Sequence, residues 1–172
     1  MNIISQEVET IKRILFVCTG NTCRSPMAEY ILKDLIAENE ELKQKNWEVL
    51  SAGISAVKGA EANDNAKTVM EELNIDLTEH ISHNIEDIEL SQEDLIITMT
   101  RKHSRALVLR HPNLADKIYT LKELSDFDDE SRDIKDPFGL SEEVYRETRD
   151  EIKMNLRFLL ENLNKFELNE ED

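Results

Sequence analysis

Basic residues are in short supply in this chain of 172: 21 Lys and Arg stand against 37 Asp and Glu, a net charge of -16 with His neutral. That deficit excludes a general basic field, and with it a nucleic-acid partner held by such a field. Cysteine is scarcer still, with Cys18 and Cys23 alone, which excludes a disulfide-stapled secreted scaffold and a four-cysteine zinc site and points to a reducing compartment. No apolar run approaches the roughly 20 residues that a membrane helix requires. Met1 to Thr10 mixes Ile3, Ile4 and Val8 with Glu7 and Glu9 instead of placing a basic segment ahead of an apolar one, so a cytoplasmic location without membrane contact is expected. The length favours a single domain, and a chain of about 150 residues buries roughly two-thirds of its unfolded surface without help from metal or disulfide.

Glycine and proline number only four and three, so each marks a place where the backbone has a specific task. Gly20 and Pro26 lie in the segment that holds both cysteines, and Pro137 and Gly139 sit in Asp136-Pro137-Phe138-Gly139. Gly53, Gly59 and Pro112 complete the set.

Arg13 to Cys18 is a short β-branched and aromatic run that ends in Thr-Gly-Asn, the pattern of a buried strand meeting a loop. A helix is expected to follow at once, with Ser25 as its cap, Pro26 in its first position, and Met27, Ile31, Leu32, Leu35 and Ile36 at helical spacing. Further strands are expected at Trp47 to Leu50, Asp94 to Met99 and Lys117 to Leu121, and further helices at Ala62 to Leu73 and Arg101 to Leu109. A last helix from near Ser141 carries Tyr145, Thr148, Ile152, Leu156, Leu159, Leu163 and Phe166 at steps of three and four. Strands alternating with helices imply an α/β fold, a four-stranded parallel sheet with helices on both faces. Ligands of such sheets bind beyond the carboxyl ends of the strands, where the cysteine loop lies. Residues 1–12 read as an N-terminal extension of no assigned function, 13–166 as the domain, and 167–172 as an acidic, solvated tail.

The chemistry concentrates in Cys18-Thr19-Gly20-Asn21-Thr22-Cys23-Arg24-Ser25-Pro26. A loop running from a buried strand into a helix N-terminus gathers unpaired N–H groups and the positive end of the helix dipole, which favour an anion. Gly20 and Asn21 tolerate the dihedrals that turn successive N–H groups inward as a nest for a tetrahedral oxyanion. At its base Cys18 would be favoured as the thiolate, the nucleophilic form. Arg24 offers a planar fork that follows the phosphoryl oxygens as phosphorus passes through its trigonal bipyramid, a role a lysine does not match. Ser25 is placed to donate to the sulfur and Asn21 to tie the loop together. Attack on phosphorus needs a general acid on the opposite side; Asp136, stiffened by Pro137, is the candidate and could then activate the hydrolytic water.

These residues, with Met27-Ala28-Glu29, Ser51-Ala52-Gly53 and Asp136-Pro137-Phe138-Gly139, closely resemble the low-molecular-weight protein tyrosine phosphatases. The resemblance implies a flavodoxin-like fold, a phospho-cysteine mechanism without cofactor or metal, and the roles just given to Cys18, Arg24 and Asp136. It also implies that Cys23 can form a protective disulfide with Cys18 under oxidation; a simply packed thiol is the other reading of Cys23. Thr19, where tyrosine-directed members usually carry a larger aliphatic residue, resembles the bacterial protein arginine phosphatases. So do Thr98-Met99-Thr100, Tyr119 to Glu123 and Tyr145 to Asp150. The expected substrates are therefore phosphorylated proteins, met by a monomer, with Thr19, Gly20, Asn21, Thr22, Cys23, Ser25 and Phe138 lining the binding site. Phe138 would be its wall, because the loop from Ile54 to Ala62 has no aromatic residue.

Three rivals stay open at this point: a tyrosine phosphatase with the same chemistry, an arsenate reductase, and a non-catalytic phospho-binding module. His80 and His83 are three apart without a ligand set to complete a metal site, and His103 and His111 carry no signal. Tyr119 and Tyr145 are candidates for the cleft, Tyr145 equally for the helix core. The acidic run from Asp126 to Glu130 reads as a solvated face, with attraction of guanidinium groups as its other reading.

Overall fold

The computed structural model describes residues 12–126 and 130–168, the last five by backbone alone. The expectations for residues 1–11, for Asp128 and Asp129, for the Phe166 and Glu167 side chains and for Glu170, Glu171 and Asp172 fall outside the described residues.

The first strand, β1 (Arg13–Cys18), is buried from Ile14 onward, as a strand must be to read as a continuous apolar run. It pairs in parallel with β2 (Glu48–Gly53) on one side and β3 (Leu95–Thr98) on the other, and β4 (Ile118–Thr120) completes the sheet in the order β2-β1-β3-β4. Alternate residues of β1 divide the interior in two. Ile14, Phe16 and Cys18 join a core built from α1 (Arg24–Ala37), α3 (Asp64–Glu71), α5 (Leu121–Ser125) and α6 (Glu142–Leu168). Leu15 and Val17 face a second core with Ile85, Ile96, Leu114 and, from α4 (Arg101–Arg110), Leu107. The short α2 (Glu40–Lys43) follows α1. Helices thus cover both faces of a four-stranded parallel sheet, the expected flavodoxin-like arrangement.

Several boundaries differ from expectation for local reasons. Ser25 does not cap α1: the cap residue is Cys23, which makes no side-chain cap bond, and Ser25 is the second helical residue with its hydroxyl engaged elsewhere. Strand β2 runs on to Gly53 because β1 pairs with it as far as Cys18. Asn63, not Ala62, starts α3 by accepting from Asn65 N, and Thr100 caps α4 through His103 N. The fourth strand stops at Thr120, whose side chain accepts from Glu123 N while the Glu123 carboxylate accepts from Thr120 N. That capping box turns Leu121, expected to close the strand, into the first residue of α5; Thr120-Leu121-Lys122-Glu123 carries its signature.

The order places β1 at the point where the sheet's connections reverse direction, between β2 and β3, and the crevice there is where ligands of such sheets bind. Gly53, paired with Cys18, closes that crevice from the side. A Cβ at Gly53 would stand 2.6 Å from Thr19 O and 2.9 Å from Asn21 N, both backbone atoms. Gly53→Ala is therefore expected to lower the unfolding free energy by about 1–3 kcal/mol through overpacking; a urea midpoint equal to that of the unsubstituted chain would contradict the close approach.

Candidate active site

The loop between β1 and α1 is held by its carbonyls. Cys18 O accepts from Ile54 N at 3.0 Å, Thr19 O from Ser55 N at 2.9 Å and Thr22 O from Asn63 N at 2.9 Å. Asn21 O accepts from the Nε2–H of His80 at 2.8 Å. In a planar trans peptide the C=O of one residue and the N–H of the next point in opposite directions. Four carbonyls tied outward therefore turn the N–H groups of Thr19, Gly20, Thr22 and Cys23 to the inside of the loop, the nest anticipated from Gly20 and Asn21. Asn21 adopts the left-handed region, with φ 54°, and directs its own N–H to Cys18 Sγ at 3.2 Å.

Beneath the loop, the Asn21 side chain fixes the direction of every neighbouring proton. Its Oδ1 accepts from His83 N at 2.8 Å, so its Nδ2 is the donor to Ser25 Oγ at 2.9 Å and to Ser51 Oγ at 2.8 Å. Ser51 passes its proton to Glu29 Oε2 at 2.5 Å, and Glu29 Oε1 is held by Lys33 Nζ. Ser25, accepting from Asn21, has its own proton free; Cys18 Sγ lies 2.9 Å away, nearer than the Ala52 carbonyl at 3.4 Å. The sulfur thus accepts from Asn21 N–H, and a thiolate there has the Ser25 O–H at 2.9 Å as its second donor.

Above the sulfur, Cys18, Thr19, Gly20, Thr22, Cys23, Arg24, Asp136 and Phe138 line one pocket of about 190 Å³. Arg24 is buried, with Nη1 on Ile134 O at 3.0 Å and Nη2 facing Asp136 Oδ2 at 3.2 Å. The segment that carries Asp136 is anchored on both sides: Ile134 N donates to Met99 O at the end of β3, Asp133 Oδ1 accepts from Arg101 N, and Asp136 Oδ1 accepts from Phe138 N across Pro137. Asp136 is half-exposed at the mouth, and Phe138 stands beside it with 67% of its surface free. Asn21 and Ser25 are wholly buried and reach the pocket through the sulfur alone.

Both cysteines are free and buried. Burial pushes the Cys23 thiol above its ordinary range, against the opposing bonds from Tyr145 and Thr22. The Tyr145 hydroxyl, 3.2 Å from Cys23 Sγ, is raised by burial and then by that bond. Tyr145 therefore packs behind the loop, and Tyr119 points its hydroxyl at Asp116 O; neither lines the pocket.

The rings of His80 and His103 and the backbone N–H of His83 serve the site without a motif to announce them, whereas Ser51 and Glu29 lie in segments that carry the family resemblance but were given no role. The His80 ring and the His83 backbone N–H brace Asn21, His80 being lowered chiefly by burial. His103, buried, stands 2.9 Å from Thr19 Oγ1 and is lowered to about 4 by burial and by the Arg24 guanidinium. Ser51 and Glu29 complete the buried chain. A readable signal existed only for Ser51 and Glu29, as polar residues inside otherwise apolar strand and helix patterns.

The chain matches the family model described as low molecular weight phosphotyrosine protein phosphatase over residues 13–168. It is 40% identical over 152 residues to a protein-arginine-phosphatase of Bacillus subtilis, covering 88% of this chain and 97% of that one. The solved YwlE arginine phosphatase of Geobacillus stearothermophilus superimposes with a TM-score of 0.79 at 40% identity, over 92% of this chain and 96% of that one. A solved YwlE arginine phosphatase mutant with a phosphorylated active-site serine has a TM-score of 0.78 at 38% identity, over 88% and 95%. A parallel sheet that ends in this loop, and matches that run through nearly the whole chain, make the protein a member of the low molecular weight phosphotyrosine protein phosphatase family.

Proposed function

We propose that this protein is a protein arginine phosphatase, hydrolysing phosphoarginine in proteins through a cysteinyl phosphate on Cys18. The observation that carries the chemistry is the position of Cys18 Sγ, at the floor of an N–H-lined pocket, with donors from Asn21 and Ser25 at 3.2 and 2.9 Å. A phosphoryl dianion in the loop meets its inward N–H groups and competes with Asp136 for Arg24 Nη2. Cys18 attacks in line, the P–N bond breaks, and Asp136 at the mouth gives its proton to the leaving guanidine nitrogen. Asp136, now ionised, takes a proton from the water that attacks phosphorus, the S–P bond breaks, and Ser25 O–H receives the returning thiolate.

The preference for phosphoarginine rests on Thr19, short and polar beside the nucleophile, and on the likeness to the arginine phosphatases of Bacillus subtilis and Geobacillus stearothermophilus. The mutant relative with a phosphorylated active-site serine supports transfer to the enzyme as the first step. Cys23, five residues on, is assigned as the thiol that condenses with a Cys18 sulfenic acid formed by peroxide, releasing water and leaving a reducible disulfide. A relay reductase needs further thiols, and the sequence has none beyond these two. The reading places a monomer in the cytoplasm: a thiolate and a second free thiol persist in a reducing compartment, and one chain supplies the whole pocket.

Cys18→Ser is expected to abolish phosphate release, and Asp136→Asn to slow kcat by about 10²- to 10⁴-fold, the usual range for general acid–base catalysis. Wild-type turnover by either variant, in a phosphate-release assay, contradicts the mechanism. Thr19→Ile is expected to move the ratio of kcat/KM values from phosphoarginine toward phosphotyrosine peptides. An unchanged ratio, or a wild-type enzyme that prefers phosphotyrosine, returns the protein to the tyrosine-directed side of the family.

A further inference from the structure

His103 belongs to the first turn of α4, on the opposite side of the sheet from α1, yet its ring reaches the mouth of the pocket. It joins two threonines: Nδ1 lies 3.0 Å from Thr100 Oγ1, the cap of its own helix, and Nε2 lies 2.9 Å from Thr19 Oγ1. Thr100 Oγ1 also accepts from His103 N at 3.3 Å, so the ring is held on a fixed point of the backbone. His103 is buried whereas Thr19 is exposed at the pocket wall. The buried partner therefore sets the exposed one.

Thr19 is β-branched, with three staggered positions about χ1 that exchange its hydroxyl, its methyl group and its hydrogen. Only one of them satisfies His103. We propose that His103 is a positioning residue that locks the Thr19 rotamer, and that this lock selects a phosphoryl group attached to a slim, polar guanidine over one attached to an aromatic ring. The inference rests on the phosphoarginine reading and names the residue through which Thr19 acts. A hydroxyl has one donor and two acceptor directions, so Thr19 Oγ1 keeps bonding capacity beyond the ring. A guanidine nitrogen or a water beside it uses that capacity, whereas an aryl ring covers the hydroxyl and leaves its remaining capacity unsatisfied, which is costly. Released from His103, Thr19 turns freely and that discrimination fades. Burial and the nearby Arg24 hold the ring singly protonated at neutral pH, so His103 adds no charge of its own to the pocket.

Side-chain length separates this role from a purely structural one. Gln in place of His103 reaches as far as Nε2 and keeps a donor or acceptor for Thr19; Asn reaches only as far as Nδ1 and keeps Thr100. The test measures kcat/KM on matched phosphoarginine and phosphotyrosine peptides for His103→Gln, His103→Asn and His103→Leu, each alone and combined with Thr19→Val. His103→Asn and His103→Leu are expected to lower the phosphoarginine to phosphotyrosine ratio about five- to tenfold, the effect of one ordinary hydrogen bond. His103→Gln is expected to retain the ratio, and none of the three is expected to change it further once Thr19 is Val. If His103→Leu fails to fold, the Asn and Gln pair carries the comparison. Rescue by Asn and not by Gln, or a ratio that His103→Asn leaves untouched while Thr19→Val lowers it, overturns the proposal alone. A ratio indifferent to Thr19→Val overturns both the proposal and the basis of the phosphoarginine reading.

Discussion

The site depends on where four peptide carbonyls point. Cys18, Thr19, Asn21 and Thr22 give their oxygens to Ile54, Ser55, His80 and Asn63, and planarity then obliges the following N–H groups to face inward. A short loop in water has no reason to collect like-oriented dipoles, since they repel one another. The surrounding fold supplies the reason, by offering outward donors from the segment after β2, from the start of α3 and from a buried histidine. A parallel sheet makes this economical: β2 ends level with β1, so its continuation passes directly beside the loop.

Asn21 binds that scaffold to the chemistry. Its backbone N–H touches the sulfur, its carbonyl takes the His80 bond, and its amide sorts the protons of Ser25 and Ser51. The chain runs from the Lys33–Glu29 pair on α1, through two serines, to Cys18. A carboxylate at the far end obliges Ser51 to donate, so Asn21 Nδ2 donates to both serines and leaves the Ser25 proton available to a thiolate at Cys18. The donors offered to the sulfur are thus set by orientation, and among the described residues the cation that shares its pocket is the Arg24 guanidinium at the wall. The net charge of -16 is compatible with an anionic phosphoryl group for the same reason: the attraction is local, and the acidic surface suits the guanidine attached to the phosphoryl group.

What could be read from the residues was what local rules determine. The apolar run of β1, the helical stripe of α6 and the strand-to-helix loop all carry their periods and punctuation in short stretches, and Cys18, Arg24 and Asp136 meet in one pocket. The strand that ends at Thr120 was misread because a capping box and a strand end share the same residues, and Leu121 suits either. Ser25 was read as a cap because its type and place fit one, but its hydroxyl is engaged by the sulfur and Asn21 instead. The His80 and His103 rings were illegible for another reason. They act across 59 and 84 residues of sequence, and a lone histidine takes its meaning only from what the fold brings to it.

The account stands on a phosphoryl group passing through the Cys18 sulfur. Acid quenching of the enzyme during turnover of a phosphoarginine peptide, followed by peptide mass spectrometry, tests that passage most directly. A phosphoryl group on the peptide at Cys18, present during turnover and gone once substrate is exhausted, is the predicted result. Continuing release of phosphate with the label on another residue, or with the Cys18 peptide unmodified throughout, would contradict it.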